Sequence, residues 1–471
     1  MSGVSGPAFD AFDAHVPLVI VGAGAAGLCA ALAAKEAGSD PIVLERDGAP
    51  AGSTALSAGL IPAAGTRFQR AKGIEDSAAI FAADIQRKAD GKNDRAIVDV
   101  LAQGAGRTVE WLADRYGFPF DVVDNFNYPG HSAMRMHGLP TRSGAELIDR
   151  LRAAAEAADI AILTERKAER LFADTDGRIR LVELSRNDGA RERIGCEALV
   201  LACNGYGGNR ALVRELIPEM ANALYFGHQG NQGDAVIWGR ALGAGLEHLG
   251  AYQGHGSVAT PHNILITWAV IAEGGVQINA HGLRFCDESQ GYSEQAAKVL
   301  RQTGGIAWNV FDARIATIAR QFEDFRAAER VGAVLTANSV EELAARMRVP
   351  GDSFVAEWNE TEEAKSRDGR DRFGRHFAAR QALVAPLHAV KVTGALFHTQ
   401  GGLAIDASTR VRRRDGGIFP NLFAAGGAAA GVSGETASGY LSGNGLLTAT
   451  VLGRFAGRAA AAQAGPPHAP V

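Results

Sequence analysis

The chain has 471 residues, enough at roughly 150 per domain for two or three structural units with large cores, which argues against a disulfide miniprotein or a lone binding module. Glycine is frequent, 58 residues against 16 prolines, with 46% apolar and 21% charged residues, so the chain is neither collagen-like nor of low complexity. Lys and Arg (48) against Asp and Glu (52) leave a formal charge of −4, and no basic block is interleaved with aromatics, so nucleic acid is not an expected partner.

In chain order, Val16 to Val21 reads as a buried strand closed by Gly22-Ala23-Gly24-Ala25-Ala26-Gly27 and followed by an alanine-rich helix to about Gly38. Pro41 to Leu44 is a second buried strand ending in Glu45-Arg46. Helices are expected over Asp76 to Ala89 and Asp94 to Tyr116, each opening on an aspartate able to cap it. A helix from Gly144 to Ala157 leads into strands at Ile160 to Leu163 and Ala168 to Phe172, and Gly177 to Leu184 resembles a hairpin arm. Ala198 to Cys203 is another buried strand, running into Asn204-Gly205. Residues 252 to 388 have more polar helices and fewer buried strands and read as an inserted domain. Glycine-rich signals return at Gly401-Gly402 and at Leu422 to Gly427, followed by a last helix from Gly445 to about Gln463 and a GPPHAPV tail that reads as mobile. No internal repeat is evident.

The four cysteines (Cys29, Cys196, Cys203, Cys286) have neither CxxC nor zinc-ribbon spacing, so structural thiols and no metal site are expected. No run reaches the length of a membrane span and no secretory signal is evident, so a cytoplasmic protein without a membrane span is expected.

The turn Gly22-x-Gly24-x-x-Gly27 follows a strand, opens a helix and has Glu45 at the end of the next strand. In that context it reads as a dinucleotide site: Gly22 for the tight turn, Gly24 for close approach to a pyrophosphate, Gly27 for helix-to-strand packing, with Glu45 for ribose hydroxyls. The fold alone does not choose between FAD and NAD.

Val19 to Ala31, Glu45, the small-residue stretch Gly52 to Gly59, Leu422 to Gly426 and Gly453-Arg454-Phe455-Ala456-Gly457 together resemble the fumarate reductase and 3-ketosteroid dehydrogenase superfamily of FAD enzymes, over almost the whole chain. The resemblance implies an α/β protein with a Rossmann-like FAD-binding domain split over 1–251 and 389–471 and an inserted α+β substrate or cap domain at 252–388. Implied flavin contacts fall on Gly22, Gly24, Ala25, Ala26, Gly27, Glu45, Arg46, Ser53, Thr54, Gly59, Ala168, Ala202, Gly205, Gly426, Gly427, Asn444, Leu446 and Leu447. Gly427 departs from the Glu many members carry. Ser53 replaces the histidine that tethers flavin in respiratory members, which implies noncovalent FAD.

Two branches of that superfamily compete. Reductases read GxRFxNE with a relay arginine four positions after the Glu, where this chain has Tyr292, and carry an arginine for the substrate carboxylate where this chain has Tyr440, with Ser442 two residues later. Both differences resemble ketosteroid dehydrogenases. His398, in His398-Thr399-Gln400-Gly401-Gly402, and His255 match reductase substrate histidines and pull toward a polar or acidic substrate.

The implied chemistry is desaturation next to the carbonyl of a cyclic ketone, with a 3-ketosteroid-like compound or a ring oxo-acid as substrate. Tyr292 takes the proton, Tyr440 and Ser442 serve the carbonyl, flavin N5 accepts hydride and an external acceptor removes the electrons. An enoate or dicarboxylate reductase and, in another class, a non-catalytic flavin carrier are the alternatives.

Overall fold

The computed structural model describes residues 4–5, 12–124, 126–367, 369–377 and 381–465; the expected mobile tail, apart from Gly465, lies outside them. The chain divides into two compact units, Met1–Ile217 with Gly227–Tyr252 and His398–Val471, and Pro218–Phe226 with Gln253–Phe397.

The first unit opens with strand β1 (Ala14–Val21), helix α1 (Ala25–Glu36) and strand β2 (Pro41–Leu44). β1 and β2 pair in parallel with Val21 opposite Leu44, so the glycine turn and Glu45 leave the sheet on the same edge. Helices α2 (Gly52–Ala55), α3 (Ala78–Lys88) and α4 (Arg95–Tyr116) follow. Asp94 caps α4, accepting from the Ala96 amide at 2.8 Å. The expected Asp76 cap of α3 is corrected: Ser77 caps that helix, because the Asp76 carboxylate is taken by the Arg135 guanidinium and the Gln69 side chain. Helix α5 (Gly144–Ala157) leads to β3 (Ala161–Leu163), then to an antiparallel run of β4 (Arg166–Ala173), β5 (Ile179–Arg186) and β6 (Arg191–Leu201). The first half of β6 pairs antiparallel with β5, while its second half runs parallel to β1.

The second unit carries β7 (Tyr252–Ala259), β8 (Val276–Ile278), helix α6 (Tyr292–Leu300), β9 (Ile306–Asp312) and β10 (Leu387–Thr399). These strands build a seven-stranded sheet in which β10 lies between β7 and β9. The expectation of few buried strands here is therefore corrected. The strands read as polar because they bury a ladder of amides and a hydroxyl: Gln295 to Gln277 at 2.7 Å, Gln277 to Asn309 at 2.9 Å and Asn309 to Ser257 at 2.6 Å. Every link is satisfied, so the strands bury polar side chains without leaving donors unpaired. Pro218–Phe226 joins this unit because Leu224 and Tyr225 pair in parallel with Ala395 and Leu396 of β10.

The chain then returns to the first unit with β11 (Ile418–Ala424), parallel to β6, and helix α7 (Asn444–Ala464). The parallel strands stand in the order β3-β2-β1-β6-β11, so the connections reverse direction between β1 and β6. Ligands bind open α/β sheets outside the strand ends at such a reversal. α7 lies along α1: a Cβ on Gly453 or Gly457 would overlap the carbonyl oxygen of Ala26 or Ala30, respectively. The Gly453-x-x-x-Gly457 spacing puts both glycines on one helix face, and the alanines of α1 complete the contact.

Candidate active site

The reversal between β1 and β6 is built of backbone. Gly22 has φ +106° and a Cβ there would sit 2.6 Å from the Ala202 carbonyl oxygen, so only glycine fits between the ends of β1 and β6. A Cβ on Gly27 would overlap the Gly22 carbonyl oxygen, which keeps α1 pressed against the turn. Gly24 is the N-cap of α1 and offers no side-chain cap. The first amides of α1 lack intrahelical partners and suit a phosphate. Thr54 takes one, its hydroxyl accepting from the Ala25 amide at 3.0 Å, and so ties α2 to the turn.

Glu45 is buried, and its carboxylate accepts from the Ala23 amide at 2.9 Å and the Asp47 amide at 3.0 Å. Burial holds this carboxyl above the usual carboxylate range, the two amides opposing. Glu45 thus supports the glycine turn directly, a role beyond the ribose contact expected of it. The Arg46 guanidinium donates to the Gly230 carbonyl and lies 3.9 Å from Asp234. Ser53 accepts from the Asn231 side chain at 2.8 Å. Gly59 packs its α-carbon against the Ser143 carbonyl, Ala168 is buried in β4, and Gly205 packs against Thr399. Gly426 faces Ala26 of α1, and Gly427 packs against the Asn204 side chain. A cradle of glycines and alanines with one buried acidic group therefore lies within one unit, as an adenine dinucleotide requires.

The segment before α7 holds the polar side chains. Tyr440 is 6% exposed, and the amides of Gly443 and Gly445 reach its phenol oxygen. Burial raises the phenol well above its ordinary pKa while these amides oppose. The group stays protonated and accepts from the backbone. Gly443, at φ +86°, makes the turn that brings those amides round. His398 stands edge-on to the Tyr440 ring at 5.6 Å, and burial lowers its pKa to about 4. Ser442 is buried, and its carbonyl accepts from Nε2 of His131 at 2.9 Å. Asn444 is fully buried and its Oδ1 has no hydrogen-bond partner among the described residues. Leu446 is half-buried, and Leu447 is a core side chain of the first unit.

In the second unit, Tyr292 opens α6 and its ring stacks on His255 at 4.9 Å and 21°, with Trp268 edge-on to both. Burial lowers the His255 pKa to about 3, and its Nδ1 is buried with no partner among the described residues. His398 and His255 are therefore neutral near pH 7. Glu288, of the motif compared with the reductases, accepts from Arg284 Nε and Nη2 at 3.0 and 2.8 Å, from Arg375 at 2.9 Å and from the Gln277 amide at 3.0 Å. Burial would raise its carboxyl, but Arg284 and Arg375 outweigh it and bring it down to about 2. Asp371 completes the cluster, 2.7 Å from Arg284.

A family model described as an FAD binding domain matches residues 18–446. The chain belongs to that FAD-binding family. This flavoprotein is 30% identical over 451 residues to a probable fumarate reductase, Ifc3, of Shewanella frigidimarina, covering 95% of this chain and 75% of that protein. It superposes on a flavocytochrome c3 fumarate reductase in its open conformation with a TM-score of 0.81 at 28% identity, covering 96% of this chain and 79% of that one. A 3-ketosteroid-Δ4-(5α)-dehydrogenase from Rhodococcus jostii RHA1, in complex with 4-androstene-3,17-dione, shares the fold at a TM-score of 0.79 and 23% identity, covering 96% and 98%. The protein is thus an FAD-dependent oxidoreductase of the superfamily expected from its motifs. Among the described residues no helix is long and apolar enough to cross a membrane.

Several residues were missed by sequence reasoning. Arg135 is 1% exposed and pairs with Asp76 and Asp84, and its Nη1 lies 3.3 Å from Nδ1 of His131. Arg375 and Asp371 were missed in the second unit, and Gln400 and Ser433 beside His398. Most of their contacts join distant parts of the chain, which no motif spacing announces; Gln400 stands two residues from His398, but its link to Ser433 is equally distant.

Proposed function

We propose that the protein is an FAD-dependent dehydrogenase that introduces a carbon–carbon double bond next to the carbonyl of a cyclic ketone. The observation that carries this reading is Tyr440, a buried phenol held protonated with the Gly443 and Gly445 amides at its oxygen. A neutral donor suits a ketone oxygen, whose enolate charge it stabilises as the neighbouring proton leaves. A reductase for dicarboxylates has an arginine at that position. Tyr292 takes the α-proton; it opens α6, and a helix N-terminus favours the phenolate a base requires. Bound FAD, held by the first unit's glycine cradle, supplies the hydride acceptor. Two further features support the reading. His398 and His255 are neutral, so they offer hydrogen bonds rather than positive charge. Glu288 is committed to two arginines and stays ionised, which leaves it no proton to relay near pH 7.

Reduction of an enoate is the second reading, favoured by the 30% identity to a probable fumarate reductase over most of both chains. It uses the same flavin in the opposite sense. Anaerobic mixing of the yellow protein with cyclic ketones, ring oxo-acids and fumarate separates the two. The dehydrogenase reading expects bleaching of oxidised flavin by a cyclic ketone, lost in Tyr292→Phe and Tyr440→Phe with flavin content unchanged. Reoxidation of prereduced enzyme by fumarate, with no ketone bleaching, would establish the reductase instead. Turnover of neutral ring ketones but of no oxo-acid would remove the carboxylate from the substrate description. An external electron acceptor completes the cycle.

A further inference from the structure

His398 stands in a motif whose third position, between Thr399 and the two glycines, is Gln400. That side chain is 3% exposed and lies within the first unit with its amide nitrogen 3.0 Å from Nδ1 of His398. Its amide oxygen accepts from the Ser433 hydroxyl at 2.8 Å, and Ser433 in turn accepts from the Asn444 amide at 3.0 Å. Ser433 and Asn444 are fully or almost fully buried. Four side chains from three separate stretches of sequence thus form one line of hydrogen bonds, Asn444 to Ser433 to Gln400 to His398.

The direction of such a line is set as a whole. An amide has one donating and one accepting end, and a hydroxyl that accepts on one side donates on the other. With Asn444 donating at the far end, Ser433 donates to Gln400 and Gln400 donates to Nδ1. Nδ1 must then be the bare nitrogen of the ring, and the proton of a neutral imidazole sits on Nε2. Among the described residues Nδ1 also faces the Thr399 carbonyl, longer at 3.4 Å, which would favour the opposite tautomer. The shorter contact prevails. The far end of the line is Asn444 Oδ1, an accepting atom buried at the start of α7 without a partner among the described residues. A donor from a bound group at that acceptor would hold Asn444 in this sense.

We propose that Asn444, Ser433 and Gln400 are positioning residues that hold His398 as its neutral Nε2–H tautomer, a hydrogen-bond donor directed at an acceptor oxygen of the substrate. This rests on the reading of His398 as a substrate contact. A donor of this kind, beside the Tyr440 phenol, selects a carbonyl or carboxylate oxygen and rejects a hydroxyl that must itself donate.

The test is nitrogen NMR of the oxidised holoenzyme labelled at histidine, with the His398 signals assigned by difference from His398→Asn. The wild type is expected to show a neutral ring protonated on Nε2 from pH 6 to 8. Gln400→Leu, which leaves Nδ1 facing only the Thr399 carbonyl, is expected to move the proton to Nδ1. Gln400→Glu is expected to give a protonated ring, because a buried carboxylate beside Nδ1 favours the imidazolium. Ser433→Ala frees Gln400 to turn over and is expected to mix the tautomers, which covers the case that a Gln400 variant does not fold. An Nδ1–H or charged His398 in the wild type, or a tautomer unchanged in all folded variants, overturns the proposal.

Kinetics keep this separate from the reading it rests on. Where Gln400→Leu moves the proton, kcat/KM should fall about 10²-fold, the cost of losing one preorganised donor. A moved proton with unchanged kcat/KM upholds the tautomer control but removes His398 from the substrate, and so overturns the directed-donor half of the proposal.

Discussion

Nε2 of His131 donates to the carbonyl of Ser442, 2.9 Å away and 311 residues further along the chain. Behind the ring, Nδ1 faces the Arg135 guanidinium at 3.3 Å, and Arg135 is held by Asp76 and Asp84. A buried ion cluster thereby fixes the tautomer of one histidine, and that histidine fixes the backbone between Tyr440 and Gly443. Leucine at 131 should loosen this loop while leaving the flavin cradle intact. His131→Leu is expected to keep its FAD and lose about 10²-fold in kcat, the scale of a small misplacement of a reacting group. Glutamine, which can donate from a similar place, should recover part of the loss. Equal activity in His131→Leu and the wild type would show that the loop holds itself.

Stability should fall on mild acidification. Burial lowers the pKa values of His131, His137 and His398 to about 4 and of His255 to about 3, from an unfolded value of 6.5. Below 6.5 the unfolded chain binds protons that these folded groups refuse. Folding therefore weakens as pH falls from 6.5 toward 4, by up to about 1.4 kcal/mol per pH unit for each histidine. Melting temperatures measured between pH 7.5 and 5 should decline, and more gently in His131→Leu. A flat profile across that range would contradict the neutral buried state of these rings.

The contact of α7 with α1 tolerates no side chain at Gly457. Gly457→Val should cost at least about 1–3 kcal/mol through overpacking against Ala30. Gly351→Ala, where a Cβ meets nothing within 4 Å, serves as the control and should stay within about 0.5 kcal/mol. Denaturant midpoints compare the two. Similar midpoints would mean that the helices part easily.

Glu288 neutralises Arg284 and Arg375 inside the second unit. Glu288→Gln removes the charge and leaves two buried guanidiniums, with Asp371 beside Arg284. A loss of about 3–5 kcal/mol is expected, read by urea unfolding. A variant as stable as the parent but unable to turn over substrate would restore Glu288 as a proton relay and favour the reductase reading.

The expectation of noncovalent FAD rests on Ser53, whose hydroxyl accepts from Asn231. Acid precipitation of the yellow protein should release FAD into the supernatant. A yellow pellet would mean a covalent bond and another attachment residue.

The β-α-β start was legible because its signals are local. A β-branched run, three glycines at fixed spacing and an acidic residue after the next strand specify the turn whatever lies around it. The last helix was legible too, although its two glycines could be understood only once α1 lay beside them. The second unit was harder. Its strands bury Gln277, Asn309 and Ser257, and a polar residue in a sequence looks the same whether water or another amide satisfies it. The Asp76 cap failed for a related reason: aspartate before a helix is a good cap only when nothing stronger claims it, and Arg135 does.

Length, motif spacing and residue type were enough to identify an FAD-binding oxidoreductase and to single out Tyr440 and His398. They could not say in which protonation state either is held. That was decided by tertiary structure, because pKa and tautomer depend on burial and on which distant donor or acceptor the fold brings to each atom. Ser433 and Asn444 join the line that ends at His398 only after β10, the loop before α7 and α7 itself have packed together.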